Sequence, residues 1–188
     1  MALARARPQA SPHDGPPAAL RHLPAPVSLV QQAFREHAAF VAKMAHRVTG
    51  RSEEVDDIVQ DVFIVAVRGV GALRDPTALR HWLATITVRV ARKRLRTLRL
   101  RRFCGLDDAP EYESVAAPGA TTEDRVLLSR IFELLDTVPV NYRLAWSLRH
   151  VEGYDLEVVA ELCGCSLATA KRWIGAVHAK LVVEVDDD

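Results

Sequence analysis

Cysteine is scarce in this chain of 188 residues, and long apolar runs are missing. The three cysteines are Cys104, Cys163 and Cys165. An odd number without framework spacing argues against a disulfide-stapled secreted scaffold and for a reducing, cytoplasmic setting. No apolar run reaches the roughly 20 residues that span a bilayer, so no membrane insertion is expected. The start, Met1 to Pro26, is rich in Ala, Pro and Arg without a continuous apolar stretch, which fits a disordered leader better than a secretory signal. Cys163-x-Cys165 lacks companion ligands at metal spacing, because the seven histidines are scattered; the pair is expected to pack as small apolar groups around Gly164. There is no glycine-rich phosphate loop and no nucleophile–base arrangement. Asp56 and Asp57 are adjacent, so on a helix their carboxylates point apart. No catalytic residue, metal or cofactor is expected, and the chain is not read as an enzyme.

What is present is helix. Apolar residues make up 49% of the chain, enough for real cores, and no alternating strand pattern occurs. The predicted fold class is all-α: two small helical domains joined by a flexible linker, the second ending in a helix-turn-helix. The boundaries are a leader at 1–26, a first domain at 27–102, an acidic linker at 103–122 and a second domain at 123–188. The net charge of +1 hides a segregation. The first domain carries 15 basic and 7 acidic residues, the linker 4 acidic and no basic, and the second domain 7 basic and 12 acidic. A polyanion would feel those local fields rather than the mean.

In the first domain Val30, Phe34, Ala38, Val41 and Ala45 fit one helix. A second starts at Ser52, a candidate cap, with Glu53 and Glu54 in its first turn. Val55, Ile58, Val59, Val62, Phe63 and Ala66 form its buried stripe. Glu53, Asp57, Gln60, Asp61 and Ile64 share the opposite face, which suits either solvent or a basic partner helix. After a loop at Gly69 to Pro76, a third helix starts near Thr77, with Leu79, Leu83, Ile86 and Val90 on its core side. Trp82, Arg89, Lys93 and Arg96 fall on another face. From Arg89 to Arg102 there are eight basic residues and no acid, so salt-dependent binding to DNA phosphates is expected. Trp82 suits either stacking on an exposed base or anchoring the helix in the core.

In the second domain, Leu156, Val159 and Ala160 line a short helix that ends at Gly164. That glycine supplies a positive φ for a tight turn, and Ser166 caps the helix that follows. Leu167, Ala170, Ile174, Val177 and Leu181 then face the core. Such a pair is the pattern of a helix-turn-helix that reads duplex DNA from the first turns of its second helix. Ser166, Thr169, Lys171, Arg172 and Trp173 are its candidate contacts, the cations for phosphate or guanine.

Three motifs in this order resemble the bacterial RNA polymerase sigma factors of the extracytoplasmic-function group. Asp56-Asp57-Ile58-Val59-Gln60-Asp61-Val62-Phe63 resembles the family's polymerase-binding helix. His81-Trp82-Leu83-Ala84-Thr85-Ile86, running into the basic stretch, resembles its promoter-melting helix. Val138-Pro139 through Leu148, Val151-Glu152-Gly153-Tyr154 and the helix-turn-helix resemble its second domain. The resemblance implies a factor that binds core RNA polymerase and directs it to promoter DNA, with an anti-sigma protein as a candidate further partner. It implies polymerase contacts at Asp56, Asp57, Gln60 and Asp61. It implies proximal-element contacts at Trp82, Arg89, Arg92, Lys93 and Arg96, and upstream-element contacts in the helix-turn-helix. Arg89 and Lys93 stand where the family usually has an asparagine and an aspartate, and Trp173 where a basic residue is common. The competing reading is a stand-alone, dimeric helix-turn-helix regulator, against which no separate dimerisation helix is found.

Overall fold

The computed structural model describes residues 26–73, 75–106, 112 and 119–186. Residues 1–25 of the expected leader, most of the linker and the last two residues of the acidic tail lie outside these. The described residues form α1 (Pro26–Thr49), α2 (Val55–Gly69), α3 (Leu79–Phe103), α4 (Thr122–Thr137), α5 (Val140–His150), α6 (Leu156–Cys163) and α7 (Leu167–Asp186). Short 3-10 turns at Ser52–Glu54, Val70–Ala72 and Pro76–Ala78 join the first three. The second helix therefore starts later than Ser52: a 3-10 turn comes first, and Glu54 at the N-cap of α2 makes no side-chain cap bond. Thr121 caps α4 through a reciprocal box with Asp124, its hydroxyl accepting from the Asp124 N–H at 3.1 Å.

The first three helices close over Val30, Val41, Ala45, Ile58, Val62 and Leu83, all buried. A second cluster joins α4, α5 and α7 around Phe132, Leu135 and Val177, with Tyr112 of the linker buried among them. Between the two lies a third core that belongs to both halves. Met44 and Val48 of α1 and Ala84, Val88, Ala91 and Leu95 of α3 pack against Leu144, Ala145 and Leu148 of α5 and Val159, Ala160 and Cys163 of α6. Alanines at the crossing let the helix backbones approach closely. Burying each large aliphatic chain there contributes about 1.5–3 kcal/mol, so the seam between the halves is a hydrophobic core.

Polar groups reinforce the seam. Arg143 of α5, only 2% exposed, donates to the C-terminal carbonyls of α1 at Val48 and Thr49 and to the Asp136 carboxylate. Arg143 thus satisfies acceptors that a helix end leaves open. Asp136 also pairs with Arg102 of α3 at 2.8 Å and accepts from the Tyr112 hydroxyl. Burial holds that hydroxyl above its usual pKa, so it stays a donor. Gly50 has φ +67°, and a β-carbon there would overlap the Phe132 ring, so this turn admits α4 only because it carries glycine.

Candidate nucleic-acid and protein interfaces

α3 divides its cations between two faces. Arg89, Lys93 and Arg96, spaced i, i+4, i+7, are exposed. Arg92, Arg99 and Arg102, spaced i, i+7, i+10, turn toward the second half of the chain. Arg92 donates to the Cys163 carbonyl at 2.7 Å, Arg99 to the Val138 carbonyl at 2.9 Å, and Arg102 pairs with Asp136. Arg94 is held by Glu54 and Asp57. Of the five proximal-element candidates, the structure brings Arg89, Lys93 and Arg96 together on one solvent face. It assigns Arg92 to the seam. Trp82 is half-buried against the first core, its ring lying on Gly69 at the end of α2, which is the anchoring alternative.

On α2, Asp56, Asp57, Gln60 and Asp61 are all exposed. Asp57 is engaged within the chain, accepting from Arg94 at 2.7 Å. Asp56 and Gln60 edge an apolar groove floored by Phe34, Val59, Phe63, Ile64 and Val67. Phe34, Ile64, Val65 and Val67 are 48%, 42%, 44% and 47% exposed. An exposed apolar patch of this kind, edged by the Asp56 carboxylate and the Gln60 amide, is a candidate surface for a protein partner. Phe34, from the apolar series read for the first helix, caps this groove, edge-on to Phe63 at 4.9 Å.

The turn between α6 and α7 has the geometry its residues require. Gly164 is left-handed at φ 65° and its N–H closes on the Glu161 carbonyl at 3.0 Å. Ser166 accepts from the Thr169 N–H at 3.2 Å, and the two hydroxyls meet at 2.9 Å. Both hydroxyls thus serve the cap while standing at the helix start, where backbone N–H groups favour anions. Lys171 and Arg172 are exposed. Trp173 is not a surface contact of the same kind: it is partly buried in the shared core and tilted on Tyr142 at 5.8 Å. Cys163 is buried and its thiol is pushed up to about 11 by burial, so it is an inert packing group. Cys165 is partly buried against the same core. Among the described residues no group of three or more His, Cys, Asp or Glu side chains is placed to hold a metal ion.

The residues that pattern reading missed are those of the seam: Arg99, Arg102, Asp136, Arg143 and Tyr112. Their one visible signal is that Arg143 directly precedes the apolar Leu144-Ala145 pair, and arginine at the edge of a buried stripe has a stem able to follow it inward.

Residues 33–101 match the family model of Sigma-70 region 2. The ECF RNA polymerase sigma-E factor of Escherichia coli (strain K12) is 30% identical over 159 residues, covering 77% of this chain and 82% of that protein. The ECF RNA polymerase sigma factor SigM of Mycobacterium tuberculosis (strain H37Rv) is 29% identical over 150 residues, covering 80% of this chain and 74% of that protein. Among solved structures, the sigma factor RpoE in complex with the anti-sigma factor NepR from Bartonella quintana has a similar fold. It aligns with TM-score 0.60 at 19% identity, over 84% of this chain and 97% of that one. CnrH in complex with the cytosolic domain of CnrY aligns with TM-score 0.57 at 23% identity, over 87% of this chain and 96% of that one. The all-α fold, the region 2 match and these relatives define a sigma-70-type transcription factor. The chain belongs to the extracytoplasmic-function (ECF) RNA polymerase sigma factors.

Proposed function

We propose that this protein binds core RNA polymerase and directs it to a subset of promoters, acting as a non-catalytic subunit. The observation that carries the reading is the first half of the chain. There an acidic-rimmed apolar groove on α1–α2 and an exposed cationic stripe on α3 lie within the segment that matches Sigma-70 region 2. Asp56, Gln60 and Asp61, with the groove beside them, are the polymerase contacts of this reading, and Asp57 joins them if it leaves Arg94. Arg89, Lys93 and Arg96 hold the backbone of the proximal promoter element. Lys171 and Arg172, with Ser166 and Thr169 at the helix start, grip the upstream element. The second half carries a net negative charge, which suits a module that reads DNA while tethered to polymerase, because tethering raises its effective concentration.

The division from 27–102 to 123–188 then separates proximal from upstream recognition. No helix among the described residues is long and apolar enough to cross a membrane, in keeping with a factor that works beside the polymerase in the cytoplasm. The structural neighbour RpoE, solved in complex with an anti-sigma factor, supports an anti-sigma protein as a third partner. Run-off transcription with purified core polymerase on a promoter library tests the reading: defined transcripts appear only when the protein is added. Failure to co-purify with core, together with unaided binding to a palindromic duplex, would instead establish a stand-alone regulator.

A further inference from the structure

The groove on α1 and α2 opens beside the start of α1. Val30 and Val67 line one end of it, and Phe34 meets Phe63 at 4.9 Å one turn further along. The two helices therefore run antiparallel, and the groove passes from the beginning of α1 to Asp56 in the first turn of α2. It consists of two adjoining hollows of about 530 and 480 Å³ that share Phe34, Phe63 and Val67. Gln31 and Arg35 edge the first, Asp56 and Gln60 the second. An occupant needs two apolar side chains a few residues apart and a cation for the Asp56 end.

The chain itself carries such a segment within reach. Residues 1–25 hold three arginines and one aspartate, opposite in sign to the exposed Asp56, Asp57 and Asp61. They end in Leu20-Arg21-His22-Leu23-Pro24-Ala25, directly before Pro26 of α1. Helical conformation is disfavoured in a residue that precedes proline, so α1 does not run on through Ala25 and the chain leaves the helix axis there. An extended chain covers about 3.3–3.6 Å per residue. Leu23 thus reaches about 10 Å from Pro26 and Leu20 about 20 Å. Val30 and Phe34 lie about 6 and 12 Å from Pro26 along α1. A chain folded back over α1 brings Leu23 to the Val30 end and Leu20 to the Phe34 end, with Arg21 toward Asp56.

We propose that the groove is the docking site of this chain's own segment Leu20–Leu23, which core polymerase must displace in order to bind. The displacement rests on the reading of the groove as a polymerase contact; the docking does not. A short tether sets a local concentration in the millimolar range, so a contact of only millimolar affinity keeps the groove filled about half of the time. The apparent affinity for polymerase then falls in proportion to the fraction of open groove.

The test uses the full chain and a variant with Leu20→Asp and Leu23→Asp, two positions in none of the three cores. The methyl NMR signals of Val59, Ile64 and Val67 should differ between the two proteins, and those of Val177 in the second half should not. A peptide of residues 17–25 added to the variant should return the groove signals saturably toward their original positions. The variant should bind core polymerase about twofold to tenfold more tightly. Groove signals identical in both proteins would overturn the proposal. So would signals that follow protein concentration instead of the substitution, since a second copy would then be the occupant. Shifted signals with unchanged polymerase affinity would uphold the docking and refute the displacement, and with it the groove as a polymerase contact.

Discussion

Arg89, Lys93 and Arg96 share α3 with Arg92, Arg99 and Arg102, yet the two sets do opposite things. The first set stands in solvent on one stripe. The second is spent on the chain itself, each guanidinium meeting a carbonyl or carboxylate of the second half. The same residue type on one helix is therefore open to solvent, and to DNA in the function proposed, on one face and a structural clamp on the other. A basic run read only as total charge overstates what is available to DNA. The face toward the second half contributes to affinity only if the seam opens.

Four experiments put that contrast at risk. The largest effect is expected at Arg143, the clamp on the opposite side of the seam. Arg143→Met leaves two α1 carbonyls without their donor and strips Asp136 of one partner, and should cost about 3 kcal/mol in urea unfolding. A loss under about 1 kcal/mol would mean that the apolar core alone holds the halves together. Next is the solvent stripe. Replacing Arg89, Lys93 and Arg96 together by Gln should lower the affinity of the polymerase-bound factor for promoter DNA by roughly tenfold to a hundredfold. It should flatten the slope of log K against log salt by about 2–3, at about 0.9 for each phosphate no longer neutralised. Stability should stay within about 0.5 kcal/mol.

Arg92→Gln is the direct comparison. It should cost about 1.5 kcal/mol of stability as its bond to the Cys163 carbonyl disappears and leave the salt slope nearly unchanged. Should it flatten the slope as each solvent-stripe change does, the two-face division fails. The smallest effect concerns pH. Burial holds His46 and His150 below the usual 6.5, with the charges of Arg47 and Arg149 respectively acting in the same direction. Both are then neutral in the folded and unfolded chain above that value. As pH falls through 6.5 the unfolded chain takes up protons first, so stability declines toward acid. The Tm should drop by a few degrees between about pH 7 and pH 5.5, less so in His46→Gln.

Much of the candidate site is legible in the residues alone. Gly164 and Ser166 announce the α6–α7 turn because a positive φ and an N-cap each demand particular residues, and those demands are local. The core side of α2 is likewise visible in Ile58, Val62, Phe63 and Ala66, all of which are buried. The seam is not legible. The stripe of Ala84, Val88, Ala91 and Leu95 is weakly apolar, and it is interleaved with a stronger one at Leu83 and Ile86, so one helix buries two faces while periodicity reports the louder. Trp82 and Trp173 are ambiguous for a related reason: both carry a large apolar body and a polar edge, and sequence alone does not say which end the fold will use. The buried Arg143 escapes because its burial depends on acceptors 94 and 95 residues away in the chain.

The shared core also bears on how such a chain can be cut and recombined. A half expressed alone would present Met44, Val48, Ala84 and Val88, or their counterparts on α5 and α6, as a bare oily face. A chimera that takes its second half from a relative inherits a new set of knobs for the same holes. Its success therefore turns on whether the donor carries side chains of matching volume at the positions of Leu144, Leu148 and Ala160. Swapping promoter preference between such proteins is in this sense a repacking problem before it is a DNA-recognition problem.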